Sequence, residues 1–230
     1  MIENLAKKLG VEFNDIDILQ QAVTHRSYLN EHRRYKLDHN ERLEFLGDAV
    51  LELVVTEFLY KNYQNPEGEL TNWRAALVNG EMLAKISKKI GIEEYLLMSR
   101  GEAKDTGKAR QYLLANAFEA IIGAMYLDQK DQGYQVVKKF VMENVVSALP
   151  EIIEKKLYMD PKSRFQEDAQ EKESITPSYR VLEESGPDHD KKFIVGIYLN
   201  EELVAEGKGS SKQEAQKDAA LKAMEVKGWL

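Results

Sequence analysis

The chain has 230 residues, 43% of them hydrophobic and 31% charged, enough to bury one substantial core or two smaller ones. It contains no cysteine, which excludes disulfides, thiolate zinc sites, iron–sulfur clusters and cysteine nucleophiles, so any metal must be held by oxygen or by histidine. The net charge of −7 argues against bulk attraction to nucleic acid, whose partners usually present a basic surface.

The first segment, Met1 to Leu9, reads as a short helix without the apolar run and cleavage site of a secretory signal, so a cytoplasmic protein is expected. Asp15 to Thr24 is a second helical candidate. A polar connection follows from Asn30 to His39, with His32, Arg33, Arg34 and Lys36. A long apolar-periodic helix then runs from Asn40 to about Lys61 and is stopped by Asn65-Pro66-Glu67-Gly68. Leu70 to Ile90 is expected as one helix with a core-facing stripe of Leu77, Met82, Leu83 and Ile86. Arg100 to Arg110 is basic, glycine-punctuated and aperiodic, an exposed loop before a helix from Tyr112 to Leu127, and Gln132 to Ala148 closes the helical part. Stretches such as Ala49 to Val55 and Ile121 to Leu127 are far shorter than the roughly 20 residues that span a bilayer, so no membrane partner is expected.

From Pro150 the character changes. A charged link, 151–159, leads to Asp160-Pro161, which starts a helix to about Glu173. Period-two patterns then appear in Ser178 to Glu184, Phe193 to Leu199 and Leu203 to Gly207, with a turn at Gly186 to Asp190 and a tighter one at Asn200-Glu201. Ser211 caps a final helix to about Val226. The expected class is α+β: a helical domain over 1–150 and a small α-β-β-β-α domain over 160–230.

Within the long helix, Glu41, Glu44 and Asp48 stand at i, i+3 and i+7, within about 60° of one another on the helical wheel. The opposite side carries Leu43, Leu46, Val50, Leu53 and Val54 and is expected to face the core. Like charges at these spacings destabilise a helix, the more so when half-buried, unless a cation neutralises them. The helix Tyr112 to Leu127 repeats the pattern, with Asn116 and Glu119 interrupting the most apolar run in the chain. Any one helical acid is commonly just a solvated charge, but two polar stripes in apolar helices suit a divalent site built from both helices. Oxygen ligands favour Mg²⁺, with Mn²⁺ able to substitute. His25, His32 and His39 lie seven apart, which is not metal-ligand spacing on one turn, and are read as structural.

The stretch Asn40 to Leu51, NERLEFLGDAVL, resembles the signature of the ribonuclease III family of double-strand-specific endoribonucleases. Thr24 to Tyr28 (THRSY), Pro66-Glu67-Gly68 and Leu113 to Leu127 resemble further family segments. The tail, with GPDHDKKF and GKGSSKQEAQKDAA, is similar to a double-stranded RNA-binding domain. The resemblance implies an all-helical endonuclease domain followed by an RNA-binding domain. It implies a homodimer that cuts duplex RNA to leave 5′-phosphate and 3′-hydroxyl ends, with structured ribosomal RNA precursors among its substrates. Carried onto this chain, it makes Glu44, Asn116 and Glu119 metal ligands, Asp48 an acidic partner at the reacting phosphate, and Glu41 and Glu67 auxiliary acids of the same valley. Phe45 matches an aromatic that enters the partner subunit. The family pattern has aspartate where this chain has Asn116; an amide oxygen can ligate but brings no charge, so weaker metal binding and weaker cleavage are expected.

In the tail, Ser163, Gln166, Glu167 and Gln170 share one polar helix face suited to the 2′-hydroxyls of an A-form minor groove. His189 is placed to enter a second groove, and Lys212 and Lys217 to take phosphates beside Gly207, Gly209 and the last helix's N-terminus. Gln213 and Gln216 stand where the family often has lysines. One alternative is a duplex-RNA-binding protein whose cleavage is lost or dormant because of Asn116. A weaker one is a helical hydrolase of small phosphates with an unrelated tail.

Overall fold

The computed structural model describes residues 2–187 and 191–229, which divide into two compact units, Met1–Ile152 and Ile153–Leu230. In the first, α1 (Ile2–Leu9) and α2 (Ile16–Ala22) lead into α3 (Arg26–Glu31) and the long α4 (Glu41–Asn62). Then come α5 (Glu67–Val78), α6 (Gly80–Ile90), α7 (Lys108–Asp128), α8 (Gly133–Asn144) and α9 (Leu149–Glu154). Among the described residues no helix is long and apolar enough to cross a membrane.

Several boundaries differ from expectation for local reasons. The single helix expected over 70–90 is two, because the Asn79 side chain accepts the Met82 N–H at 2.9 Å and starts α6 afresh. The loop before α7 ends earlier, at Gly107. The last amphipathic segment is α8 followed by a 3₁₀ turn over Val146–Ala148. Part of the stretch expected as a link is α9, held by Ile152, which is buried. The short α3 was not expected; His25 caps it, its Nδ1 accepting the Ser27 N–H at 3.3 Å, and burial lowers its pKa, keeping it a neutral acceptor.

The core of this unit is built from residues such as Leu51, Val54 and Leu59 on α4, Leu77 and Leu83 on α5 and α6, and Leu114, Phe118, Ile121 and Ile122 on α7. Leu53, expected on the buried side of α4, is instead 56% exposed. The helices α4 and α7 pack at backbone contact. A Cβ added at Gly47 would lie 1.7 Å from the Glu119 carbonyl oxygen, and one at Gly123 would lie 2.2 Å from that of Leu43. Only residues without a side chain allow that crossing.

In the second unit α10 (Pro161–Glu173) precedes the antiparallel sheet β1-β2-β3 (Ser178–Ser185, Lys192–Leu199, Glu202–Gly209), and α11 (Lys212–Lys227) covers one face. This is the expected α-β-β-β-α order, with β1 and β2 each one residue longer than its pattern and β3 three residues longer. Asp160 caps α10 and Ser211 caps α11, as their positions suggested. Phe165 and Ala169 of α10, Ile197 and Leu199 of β2, and Ala219, Ala220, Ala223 and Met224 of α11 form the main core. The alanines let the strand approach closely: a Cβ at Gly207 would lie 2.1 Å from the Ala219 nitrogen and 2.2 Å from the Ala215 oxygen.

Candidate catalytic and RNA-binding sites

The glycine crossing decides which polar groups meet. Because Gly47 touches the backbone of Glu119, Glu44, one turn before Gly47 on α4, and Asp48, the residue next to it, come beside Asn116 and Glu119 on α7. The Asn116 side chain hydrogen-bonds Glu44. Glu44 is half-buried, and its carboxyl is raised by that burial and by the charges of Glu41 and Asp48, with the Asn116 bond opposing. Glu119 is pushed up to about 7, first by burial and then by the charges of Asp48, Glu44 and Glu52. A carboxylate in that state is one whose neighbours supply negative charge and no counter-charge. The structure therefore brings Glu44, Asp48, Asn116 and Glu119 together, as their spacing suggested, with Glu41 beside them.

Glu41 also has a cation, Arg26, at 3.4 Å, and its backbone N–H is directed at His39 Nδ1 at 3.4 Å. Glu67 is not in this group. It lines a cavity of about 770 Å³ with Thr56, Tyr60, Tyr63 and Arg74. That cavity begins some 12 residues, or about 18 Å of helix, beyond Glu44. Glu67 opens α5 after α4 has ended at Asn62, so one chain cannot bring it to the Glu44 cluster.

Spacing did not single out Glu52, one turn beyond Asp48, because its influence on Glu119 depends on where α7 crosses. Gly47 and Gly123 were missed too. The signal was available: each is the single glycine inside its helix, which costs helix stability unless close packing repays it.

Among the described residues no three His, Cys, Asp or Glu side chains close into a ready-made metal cage. The constellation is instead three carboxylates, one of them with a pKa near neutrality, and an amide. Its hard oxygen donors and uncompensated negative charge fit a hard divalent cation, and lack the nitrogen or sulfur of a zinc site. On the same α4, Phe45 is 82% exposed, and Ala49, Leu53 and Tyr60 follow it on one exposed stripe at i+4, i+8 and i+15.

In the second unit Ser163, Gln166, Glu167 and Gln170 are all exposed, while Arg164, Phe165, Asp168 and Ala169 between them are buried. The polar face expected on α10 is therefore presented to solvent. Lys212 and Lys217 are exposed but already paired, Lys212 with Glu184 at 3.7 Å and Lys217 with Asp160 at 2.7 Å. Burial tends to raise the Asp160 carboxyl, but the Lys217 hydrogen bond and the Lys162 N–H outweigh it and leave it lowered. Gln216 accepts from Lys162 Nζ at 2.7 Å, so a glutamine at that position still anchors a cation nearby. Asp218 takes the Lys208 N–H at 2.7 Å and Lys222 Nζ at 2.7 Å, fixing the end of β3 to α11. Exposed pairs of this kind are worth little, so a phosphate can replace the acid. His189 lies outside the described residues.

A family model described as Ribonuclease-III-like matches residues 15–149, and one described as a double-stranded RNA binding motif matches residues 161–227. The chain is 44% identical over 221 residues to the ribonuclease 3 of Enterococcus faecalis, covering 96% of this chain and 94% of that protein. It is 42% identical over 226 residues to the ribonuclease 3 of Nitratiruptor, with 98% and 96% covered. Among solved structures, the nuclease domain of ribonuclease III from Campylobacter jejuni, described with flexibility in a region involved in dimer formation, matches with a TM-score of 0.57 at 40% identity. It covers 65% of this chain and 99% of that one.

Proposed function

Since the chain belongs to the ribonuclease III family and is a double-stranded-RNA endoribonuclease, we propose that it hydrolyses its substrate at the α4–α7 crossing with the help of Mg²⁺. Glu44, Glu119 and the Asn116 oxygen hold the cation, and Asp48 stands as the acidic partner at the reacting phosphate. The observation that carries this reading is the convergence of Glu44, Asp48, Asn116 and Glu119, with Glu119 forced up to about 7 by burial and then by neighbouring acids. A divalent cation at such a place supplies Lewis acidity at a phosphate and makes water nucleophilic near neutral pH. The protein's own part is to hold the oxygens in one half-buried valley, to keep Glu41 beside it through Arg26, and to present the α10 face and Lys212 and Lys217 to the duplex. The products carry 5′-phosphate and 3′-hydroxyl ends, and structured ribosomal RNA precursors in the cytoplasm are among the substrates.

The working form is a homodimer. An exposed stripe of Phe45, Ala49, Leu53 and Tyr60 is more apolar than a helix facing water requires, and a second copy would cover it, with Phe45 entering the partner. The described region of the Campylobacter relative, involved in dimer formation, supports the same reading.

Asn116 tempers the activity. Its amide spends a hydrogen bond on Glu44 and leaves the valley one charge short. In single-turnover cleavage of a duplex RNA across Mg²⁺ concentrations, Asn116→Asp is expected to be faster by about ten-fold at low Mg²⁺, since one added charge within a few ångströms is worth that much or more. The gap should close as Mg²⁺ rises. Equal rates at every concentration would remove position 116 from the cation site. A stable shifted complex with no 5′-phosphorylated product from either form would leave RNA binding without cleavage.

A further inference from the structure

The polar connection after α3 has no part in the site described above, yet it is not a featureless loop. Tyr28, Asn30, Glu31, His32, Arg33, Arg34 and Tyr35 line an open cavity of about 560 Å³, a size within the range of ligand pockets, about 300–1,000 Å³. The Tyr28 and His32 rings are stacked with centroids 3.9 Å apart, and Tyr35 meets Tyr28 edge-on at 5.2 Å. His32 Nδ1 lies 3.0 Å from the Tyr28 carbonyl oxygen. A carbonyl can only accept, so Nδ1 carries the proton and the neutral ring offers Nε2 as an acceptor. His32, Arg33, Arg34 and Lys36 are exposed.

The cavity is held in place on several sides. Ser99 N–H donates to Ser27 Oγ at 3.0 Å, and His25 N–H to the Leu97 carbonyl at 2.8 Å. The Glu31 carboxylate takes the Arg100 N–H at 3.3 Å, so the one acid of the cavity has a partner. Arg26, at the other end of the same short helix, is the residue that pairs with Glu41. The short helix that supplies part of the cavity's lining thus also carries the cation at the edge of the acidic valley.

We propose that this cavity binds an unpaired nucleotide of the RNA substrate, one flanking the duplex that the valley cuts; the inference rests on the duplex-RNA reading above. Cations alone would suit duplex phosphates as well. An exposed ring already stacked on one side offers its other face to a base, and a base is free to stack there only where it is unpaired. Arg33 and Arg34 would take the flanking phosphates, and His32 Nε2 would accept from an exocyclic amino group.

The test compares two hairpin RNAs with one stem, one blunt and one with a two-nucleotide 3′ tail, bound to the full chain with divalent cations chelated and read by fluorescence anisotropy. The tailed RNA is expected to bind about five-fold or more tightly, the least that one stacked base supplies. His32→Ala and Arg33→Ala should lose the preference for the tail and keep the affinity for the blunt stem. His32→Phe, which keeps a stacking ring, should retain it. Unchanged thermal melting of the variants shows that the fold is intact. Equal affinities for the two RNAs, or a fall that is the same for both in the variants, would overturn the nucleotide site and leave duplex binding standing. Failure of the wild-type chain to bind either RNA would overturn the duplex reading and this inference with it.

Discussion

Glu57 and Glu119 belong to the same helical unit, one on α4 and the other on the helix that crosses it, and their carboxyls are moved to opposite ends of the carboxylate range. Glu57 is lowered to about 2 by hydrogen bonds from Lys138, Lys61 and Tyr134. Glu119 is raised to about 7 by burial and by Asp48, Glu44 and Glu52. The chain thus supplies two lysines and a phenol to an acid at the far end of α4, where α8 packs, and leaves the acids of the crossing to repel one another. A protein selected for stability alone would do the reverse, since burial weighs more heavily on the Glu119 charge than on that of Glu57. The difference marks Glu57 as part of the scaffold and the crossing as a place completed by a charge from outside.

The contrast breaks most completely if the crossing itself is opened. Gly47→Ala puts a Cβ 1.7 Å from the Glu119 carbonyl oxygen, which α4 and α7 can relieve only by separating. The expected cost is on the order of 4 kcal/mol or more, with cleavage undetectable and the first unit melting at much lower temperature. Wild-type melting in Gly47→Ala would show that the helices do not meet through their backbones. Glu119→Gln sharpens the contrast without that disruption. Cleavage is expected to fall by at least about a hundred-fold, the upper end of what loss of a partner around a metal ligand costs. Stability with metal chelated should not fall with it. A carboxyl whose folded pKa is about 7 against a usual 4.5 keeps its proton in the folded state while the unfolded chain releases it. Stability therefore declines as pH rises from about 4.5 to 7. In Glu119→Gln that decline should flatten in thermal melts, and an unchanged pH slope would mean that Glu119 is not crowded by its neighbours.

The same contrast explains what could be read from the sequence. The stripe of Glu41, Glu44 and Asp48, and the pair Asn116 and Glu119, are visible because helical spacing alone fixes which side chains share a face. The caps at Asp160 and Ser211 and the order of the second unit are visible for the same reason, being local. Distances between helices are not local. The family resemblance places Glu67 in the valley of Glu44, and within one chain the length of α4 lies between them. Glu52 is brought to bear on Glu119 by the angle of the crossing, which Gly47 and Gly123 set. The division of 70–90 at Asn79 was legible in principle, since Val78-Asn79-Gly80 carries a capping residue inside an apolar period that runs on through it. Leu53 fits the apolar period of α4 and still faces outward, because periodicity cannot tell a face that meets the core from one left for another surface.

The smallest effect is expected at Glu57, where the sign runs the other way. Its Oε2 accepts from the Tyr134 hydroxyl at 2.5 Å and from Lys138 Nζ at 2.8 Å, and its Oε1 from Lys61 Nζ at 2.5 Å. Tyr134 is in turn raised to about 12, chiefly by burial and then by that hydrogen bond. A folded pKa near 2 against a usual 4.5 means that the contribution is fully present above about pH 4.5 and is lost as pH falls towards 2. Glu57→Gln should therefore lower the melting temperature slightly at neutral pH and not at all near pH 2, with the difference shrinking in high salt because the pairs are only partly buried. Cleavage should be unchanged. Melting curves of the two proteins across pH 2 to 7 check the first claim and a duplex cleavage assay the second. A variant that melts normally but cuts poorly would place Glu57 among the working acids and erase the distinction between the two ends of α4.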